Sequence, residues 1–239
     1  VYYVTSAVAL GAPGRPVAFS VPTGNFGDVF AAYVAKRMGL PIDRLVVATN
    51  VNDILVRAIE DGRYEMRGVT ATQSPSMDIQ ISSNFERLLF EASGRDHGFV
   101  RASMASLKQS GGFAIPEAVL AEIRRDFSAV CVDEQACADT IARIDREAGY
   151  LPDPHTAIGI AAAAEEVAHG EAPMVALATA HPAKFPDAVE KASGRRPALP
   201  VWAADLTDRP EKVERLPANQ RAVAGHILSL TRSTTLEVS

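Results

Sequence analysis

Only two of the 239 residues are cysteine and one is tryptophan, and aromatic residues make up 6%. Cys131 and Cys137 have no His or further Cys cluster near them in sequence, which excludes a disulfide framework and a zinc site. Both are expected to be buried and inert. No apolar run reaches the length of a membrane-crossing helix, and the longest candidate, residues 158–164, is a short alanine-rich stretch. An excess of basic charge is also lacking. Lys plus Arg is 24 against 29 for Asp plus Glu, a net charge of −5. That balance, without clusters, gives no electrostatic footprint for nucleic acid or an anionic membrane. Repeats and low-complexity tracts are missing too. What is present is a globular composition, 47% hydrophobic and 22% charged, which can build a core and excludes a disordered chain. The length fits one large domain or two small ones. The default compartment is the cytoplasm.

The sequence opens without Met, a basic segment or a polar tail. Val1-Tyr2-Tyr3-Val4 and Ala7-Val8-Ala9-Leu10, ending at Gly11, read as the back half of an apolar helix with a stop signal and no start. This beginning points to the C-terminal part of a longer polypeptide.

Residues 16–21 form a short apolar run bounded by turn residues, which fits a buried strand of a parallel sheet. Residues 22–28 are a loop, and residues 29–38 show helical spacing closed by Gly39. A second buried strand is expected at 45–48 and a helix at 54–60. Two strand–loop–helix units in a row predict an α/β fold with a parallel sheet. Residues 67–81, rich in Thr, Ser, Gln and Pro, read as a site-lining loop. Helices are expected at 84–92 and at 116–125, the second with Pro116 in its first position, and 93–110 reads as irregular or helical. A strand at 129–132 precedes a helix capped by Asp133 and stopped by Gly149. Leu151-Pro152-Asp153-Pro154-His155 reads as a stiff loop, Thr156 as the N-cap of a helix over 157–168, and 174–178 as the last buried strand. From residue 204 onward the chain is charged and proline-broken, with a short amphipathic helix near 219–230. The expected partition is an α/β domain over 1–81 and 128–202, a helical excursion over 82–127, and an extension over 203–239.

Thr23-Gly24-Asn25-Phe26-Gly27-Asp28 lies between a strand and a helix. Such a loop gathers free backbone N–H groups and the positive end of a helix dipole at one point, and its glycines let the main chain approach an anion. A phosphate is the natural ligand, although a glycine-containing turn that merely turns the chain is an open alternative. The loop is neither a Walker A loop, lacking Lys-Ser/Thr, nor a dinucleotide fingerprint, lacking the third Gly. Asp28 suits the dipole but not a bound phosphate, so it is expected to cap N–H groups or face away.

Pro22-Thr23-Gly24-Asn25-Phe26-Gly27-Asp28 followed by Ala48-Thr49-Asn50-Val51-Asn52-Asp53 resembles threonine synthase. Ser74-Pro75-Ser76-Met77-Asp78-Ile79, Leu151-Pro152-Asp153-Pro154-His155-Thr156-Ala157 and Ala178-Thr179-Ala180-His181-Pro182-Ala183-Lys184-Phe185 agree, in order. The resemblance implies a tryptophan-synthase β-like fold (fold type II), with a mainly parallel sheet flanked by helices. It implies pyridoxal 5'-phosphate as cofactor and conversion of O-phospho-L-homoserine and water to L-threonine and phosphate. By the same resemblance Gly24, Asn25, Phe26, Gly27 and Asp28 would cup the cofactor phosphate, and Thr179 would face the pyridine nitrogen. The family's Schiff-base lysine belongs to an N-terminal half of the same protein. None of Lys36, Lys108, Lys184, Lys191 and Lys212 matches its motif, so no catalytic residue is assigned here. No metal is expected. Two alternatives stay open: a paralogue acting on another phospho-amino acid, and a non-catalytic phosphate-ester binding protein.

His155 and His181 read as loop histidines that hydrogen-bond to backbone. Asn50, Asn52 and Asp53 either line the site or form turns, and Asp153 before Pro154 is a turn signal. Arg124-Arg125 and Arg195-Arg196 read as solvated faces.

Overall fold

The computed structural model describes residues 1–167, 170 and 172–231. They fall into two compact units, Val1–Ala198 and Leu199–Ser239.

The first unit begins with helix α1 (Tyr2–Ala9), which buries Tyr3 and Ala7. Strand β1 (Val17–Pro22) leads into helix α2 (Gly27–Arg37). That helix starts two residues before the expected Val29, because Phe26 adopts a left-handed conformation (φ 63°) that turns the chain straight into it. Strand β2 (Ile42–Thr49) and helix α3 (Ile54–Glu60) come next, then a short strand β3 (Arg63–Glu65). After a 3-10 turn at Pro75–Met77 come α4 (Phe85–Ala92), α5 (His97–Ser110), β4 (Gly112–Ala114) and α6 (Glu117–Arg124). This stretch is therefore not purely helical, since β4 pairs antiparallel with β3. Pro116 caps α6 from outside instead of occupying its first position. Strand β5 (Phe127–Cys131) and helix α7 (Glu134–Ala148) match expectation: the Asp133 carboxylate accepts the Ala136 N–H at 2.8 Å, and Gly149 closes the helix at φ 64°.

Helix α8 (Pro154–Val167) starts earlier than expected, which corrects two assignments. Thr156 is not the N-cap and His155 is not in a loop. Asp153 holds the helix start instead, its Oδ1 accepting the His155 N–H at 2.9 Å and its Oδ2 the Thr156 N–H at 3.3 Å. The expected last residue of this helix, Ala168, lies outside the described residues. Strand β6 (Met174–Ala176) and helix α9 (Pro186–Ser193) complete the unit.

The four-stranded sheet has the order β5-β2-β1-β6 with every pair parallel. β1 and β2 are central and covered on both faces, which is why they read as near-continuous apolar runs. β6 is an edge strand and only half-buried, not the buried strand expected. The two-residue period assigns Val17, Phe19, Val21, Leu45 and Val47 to one face, in a core with α2, α3 and α4. Val46 and Ala48 turn to the other face, against Ile141 of α7 and Ala157, Ile158 and Ala162 of α8. That second face is built of small groups. The Ser20 hydroxyl donates to the Gly159 carbonyl at 2.7 Å, and a Cβ on Gly159 would stand 2.9 Å from Pro22 Cγ. Helix α8 therefore lies tightly along β1, with its N-terminus at the carboxyl end of that strand.

The second unit contains 3-10 turns at Val201–Ala203 and Leu206–Asp208 and a helix α10 (Gln220–Leu230). Asn219 caps α10 by accepting the Ala222 N–H at 3.1 Å, and the helix buries no residue. The expected extension runs on through residues 232–239, which lie outside the described residues. No helix among the described residues is long and apolar enough to cross a membrane.

Candidate active site

The chain leaves β1 toward α2 and β2 on one side, while β6 lies on the other. The gap beyond the carboxyl ends of β1 and β6 is thus a topological switch point, where α/β sheets bind ligands. A cavity of about 310 Å³ opens there. Its wall carries Gly24, Asn25, Phe26, Gly27, Asp28 and Thr179, so all six residues singled out in the sequence meet on one surface. Ser76, Met77, His155 and Lys184 share it.

The 23–28 loop is held from behind. Ser82 Oγ donates to the Gly24 carbonyl at 2.8 Å, and Asn84 donates to the Asn25 carbonyl from its backbone N (3.1 Å) and its Nδ2 (2.8 Å). In a trans peptide the N–H points opposite to the C=O, so the N–H groups of Asn25 and Phe26 point away from residues 82–84. Phe26 sits at a positive φ that a bulky residue seldom adopts. Its ring is 1% exposed and packs edge-on to Phe85 (5.4 Å) and tilted against Phe127 (5.7 Å), and this anchoring offsets the strain. No side chain caps the start of α2. The Asp28 carboxylate does not turn back on the helix end. It accepts the Tyr3 hydroxyl at 2.8 Å, and the Asp28 carbonyl accepts the same hydroxyl at 3.0 Å. Burial first, then the Asp28 charge and the hydrogen bond to it, push the Tyr3 phenol far above its ordinary range. The cavity thus faces an uncapped helix N-terminus whose nearest carboxylate is engaged elsewhere, a favourable place for an anion.

The 3-10 turn at Pro75–Met77 lies directly against this loop and lines the same cavity. A Cβ on Gly24 would stand 2.6 Å from the Ser76 carbonyl oxygen, so only glycine permits this approach of loop and wall. Behind the wall, Asn50 and Asn52 are buried and tie the 67–81 loop together. Asn50 Nδ2 lies 2.9 Å from Ser74 Oγ and 2.8 Å from Asp78 Oδ1, and Asn52 Nδ2 donates to the Thr70 carbonyl at 2.9 Å. They support the wall from outside the cavity. Asp53 pairs with Arg57 at 2.8 Å.

His155 is buried, its ring 4.7 Å from that of Phe185. Its Nδ1 lies 2.9 Å from Asp153 Oδ1, and its Nε2 accepts the Ser76 N–H at 3.3 Å. Burial pushes the Asp153 carboxyl up, but hydrogen bonds from His155 and Thr156 outweigh it and hold the group below its usual range. Thr179 follows β6 and its N–H donates to Thr156 Oγ1 at 3.2 Å. His181 is exposed and accepts the Ala183 N–H at 3.2 Å, the loop-stabilising role expected of it. Lys184 is exposed with its ammonium 5.8 Å from the Phe185 ring centroid, whereas Lys36 pairs with Asp126 at 2.7 Å. Cys137 is buried, and burial pushes its thiol up to about 12. Cys131 is exposed, contrary to expectation. No metal-ligand cluster occurs among the described residues.

A family model described as "Threonine synthase, C-terminal" matches residues 156–227. The threonine synthase of Pseudomonas aeruginosa is 50% identical over 218 residues, covering 91% of this chain and 46% of that protein. This chain belongs, by sequence and by structure, to the C-terminal half of the threonine synthase family. The threonine synthase of Corynebacterium glutamicum is 38% identical, covering 99% of this chain and 51% of that protein. Among solved structures, the pyridoxal-phosphate-bound threonine synthase of Brucella melitensis is 58% identical with a TM-score of 0.90, over 97% of this chain and 50% of that one. The yeast threonine synthase superposes with a TM-score of 0.83 at 36% identity, over 95% of this chain and 50% of that one. The chain spans about half the length of the relatives it matches. Its α/β architecture is the tryptophan-synthase β-like fold of these enzymes.

The 23–28 loop and Thr179 stand out in the sequence, whereas the roles of Ser76, His155 and Asp153 do not. Pro75 at the start of the 3-10 turn was the local signal for the first. The other two depend on contacts between distant segments.

Proposed function

We propose that this chain supplies one wall of the active site of a threonine synthase, a pyridoxal-phosphate-dependent carbon–oxygen lyase that converts O-phospho-L-homoserine and water to L-threonine and phosphate. The observation that carries the reading is the uncapped start of α2 facing a cavity where the loop meets the Ser76 turn too closely for any residue but glycine at position 24. Gly24, Asn25, Phe26, Gly27 and Asp28 would receive the cofactor phosphate on backbone N–H groups, with the α2 dipole behind them. Asp28 stays out of the way, its carboxylate held by Tyr3. Thr179, on the same cavity, would face the pyridine nitrogen, and a neutral hydroxyl there leaves that nitrogen largely unprotonated. When bound, the cofactor supplies an electron sink for carbanions of the substrate. The lysine that binds it would come from the N-terminal half of the same polypeptide. In this reading residues 1–81 and 128–202 form the cofactor domain, 82–127 an excursion from it, and 203–239 an extension, and the enzyme works in the cytoplasm.

The test is turnover by the full-length polypeptide carrying this chain, loaded with pyridoxal phosphate and given O-phospho-L-homoserine. Threonine and inorganic phosphate should appear in equal amounts. Phosphate without threonine, or turnover of a different phospho-amino acid only, would assign the site to another reaction. Cofactor binding with no turnover of any such ester would make it a binding protein.

A further inference from the structure

The buried Asp153 carboxylate accepts hydrogen bonds from two branches that end on two residues of the cavity lining, Ser76 and Thr179. An ionised carboxylate has no proton to give, so every partner must donate to it. Oδ1 sits 2.9 Å from His155 Nδ1, which fixes the ring proton on Nδ1 and leaves Nε2 bare to accept the Ser76 N–H at 3.3 Å. Oδ2 receives the Thr156 hydroxyl proton, which leaves the Thr156 oxygen free to accept the Thr179 N–H at 3.2 Å. Ser76 lies on the turn opposite Gly24, and Thr179 on the loop after β6. Asp153 is fully buried and His155 and Thr156 are nearly so, so water cannot replace any of them cheaply.

We propose that Asp153 is a positioning residue that aligns two segments of the cavity lining, Ser76 through His155 and Thr179 through Thr156. The role in catalysis rests on the threonine synthase reading; the alignment itself does not. Replacing the carboxylate by an amide of the same shape puts an N–H₂ where an acceptor stood. Then either the His155 ring proton moves to Nε2 and faces the Ser76 N–H, or the Thr156 hydroxyl turns and faces the Thr179 N–H. One of the two lining segments, at Ser76 or at Thr179, loses its anchor while the loop at 23–28 keeps its own.

The experiment compares wild type, Asp153→Asn, Thr156→Val and Thr156→Ser in the full-length polypeptide. Amide hydrogen exchange is read at Ser76 and Thr179, and the His155 ring nitrogens are read by NMR. In wild type, Nδ1 carries the proton and both amides are protected. Asp153→Asn should speed exchange at Ser76 or Thr179 by about tenfold or more while the strands β1 and β2 keep their protection. Thr156→Val should release Thr179 alone, and Thr156→Ser should retain it. With cofactor bound, Asp153→Asn should keep pyridoxal phosphate, shift its visible absorption and lower kcat by about tenfold. A wild-type ring protonated on Nε2, unchanged exchange at both amides, or a loss spread evenly over the sheet would overturn the alignment. If wild type makes no threonine, the functional reading fails while exchange and ring-nitrogen data still decide the alignment.

Discussion

Gly24→Ala is the most economical perturbation of the site, because it adds one methyl group where the structure leaves no room. The new Cβ would stand 2.6 Å from the Ser76 carbonyl oxygen and 3.4 Å from Met77 Cα. Ordinary contact begins near 3.4 Å, so loop and wall must separate by about 0.8 Å. The wall resists: Ser76 N–H is held by His155, and Met77 N–H donates to the Ser74 carbonyl at 2.9 Å. The loop resists too, through Ser82 and Asn84. Overpacking of this kind costs about 1–3 kcal/mol. If the walls stay in place, the cost appears as lost stability of the cofactor-free protein. If they part, the cavity widens and the cost appears as weaker cofactor binding, about 5- to 150-fold for the same energy. Urea denaturation of the apo protein and titration with pyridoxal phosphate measure the two shares, whose sum should reach about 1–3 kcal/mol. Gly14→Ala is the control: it lies outside the site, its Cβ would meet only the Gly11 carbonyl oxygen at an ordinary 3.5 Å, and cofactor affinity should be unchanged with stability within about 1 kcal/mol of wild type. A Gly24→Ala protein with wild-type stability and wild-type cofactor affinity would refute the placement of the Pro75–Met77 turn against the loop.

Phe26→Ala removes a buried ring and keeps the unfavourable backbone, so it should cost about 3–5 kcal/mol in denaturant titration, and a loss under about 1 kcal/mol would show that the Phe85 and Phe127 contacts do not anchor the loop. Asp153 is held below its usual range in the folded state, so its stabilisation is complete above the unfolded pKa and fades as pH falls through the folded one. Thermal melts from pH 6 down to pH 3 should therefore show a steeper loss for wild type than for Asp153→Asn. Tyr3 is shifted the other way, so its stabilisation is complete below the ordinary phenol value of 10.0 and is lost as pH rises past it. Ultraviolet titration should find Tyr3 ionising only as the fold opens, and a reversible phenolate in folded protein would count against its burial on Asp28. Thr179→Ala should retain pyridoxal phosphate with turnover lowered about tenfold, and a wild-type rate would remove Thr179 from the reaction.

The legible parts of the fold are those whose pattern is local. β1 and β2 read as strands because both faces are covered, so apolar residues run on without interruption. α7 is bracketed by Asp133 and Gly149, each acting within one turn of its own position. β3 and β4 were not legible. Each has three residues, too few for a period, and Gly112 is present because a Cβ there would come within 2.8 Å of the Tyr64 carbonyl oxygen, a contact made 48 residues back along the chain. The start of α8 was misplaced for a related reason. Thr156 carries the composition of an N-cap, but its hydroxyl is committed to Asp153 and its oxygen to Thr179, so the cap falls to Asp153.

The candidate site divides in the same way. The 23–28 loop could be read because a strand, two glycines and a helix within a dozen residues state a geometry by themselves. Thr179 came forward only through resemblance, since no local signal separates it from any residue after an edge strand. The wall at Ser76 stayed hidden because the group that holds it, His155, lies 79 residues along the chain. What joins these pieces is the alanine-rich helix α8. Its small residues let it settle on β1, with Ser20 donating to Gly159 and Pro22 filling the space a side chain would take. That close approach sets Asp153, His155 and Thr156 beside the carboxyl ends of β1 and β6, where they reach Ser76 and Thr179 in the cavity lining. A larger residue at position 159 would lift α8 from the strand and carry the Ser76 and Thr179 anchors away together, so the site's geometry depends on how closely α8 packs against Pro22, itself part of the cavity lining.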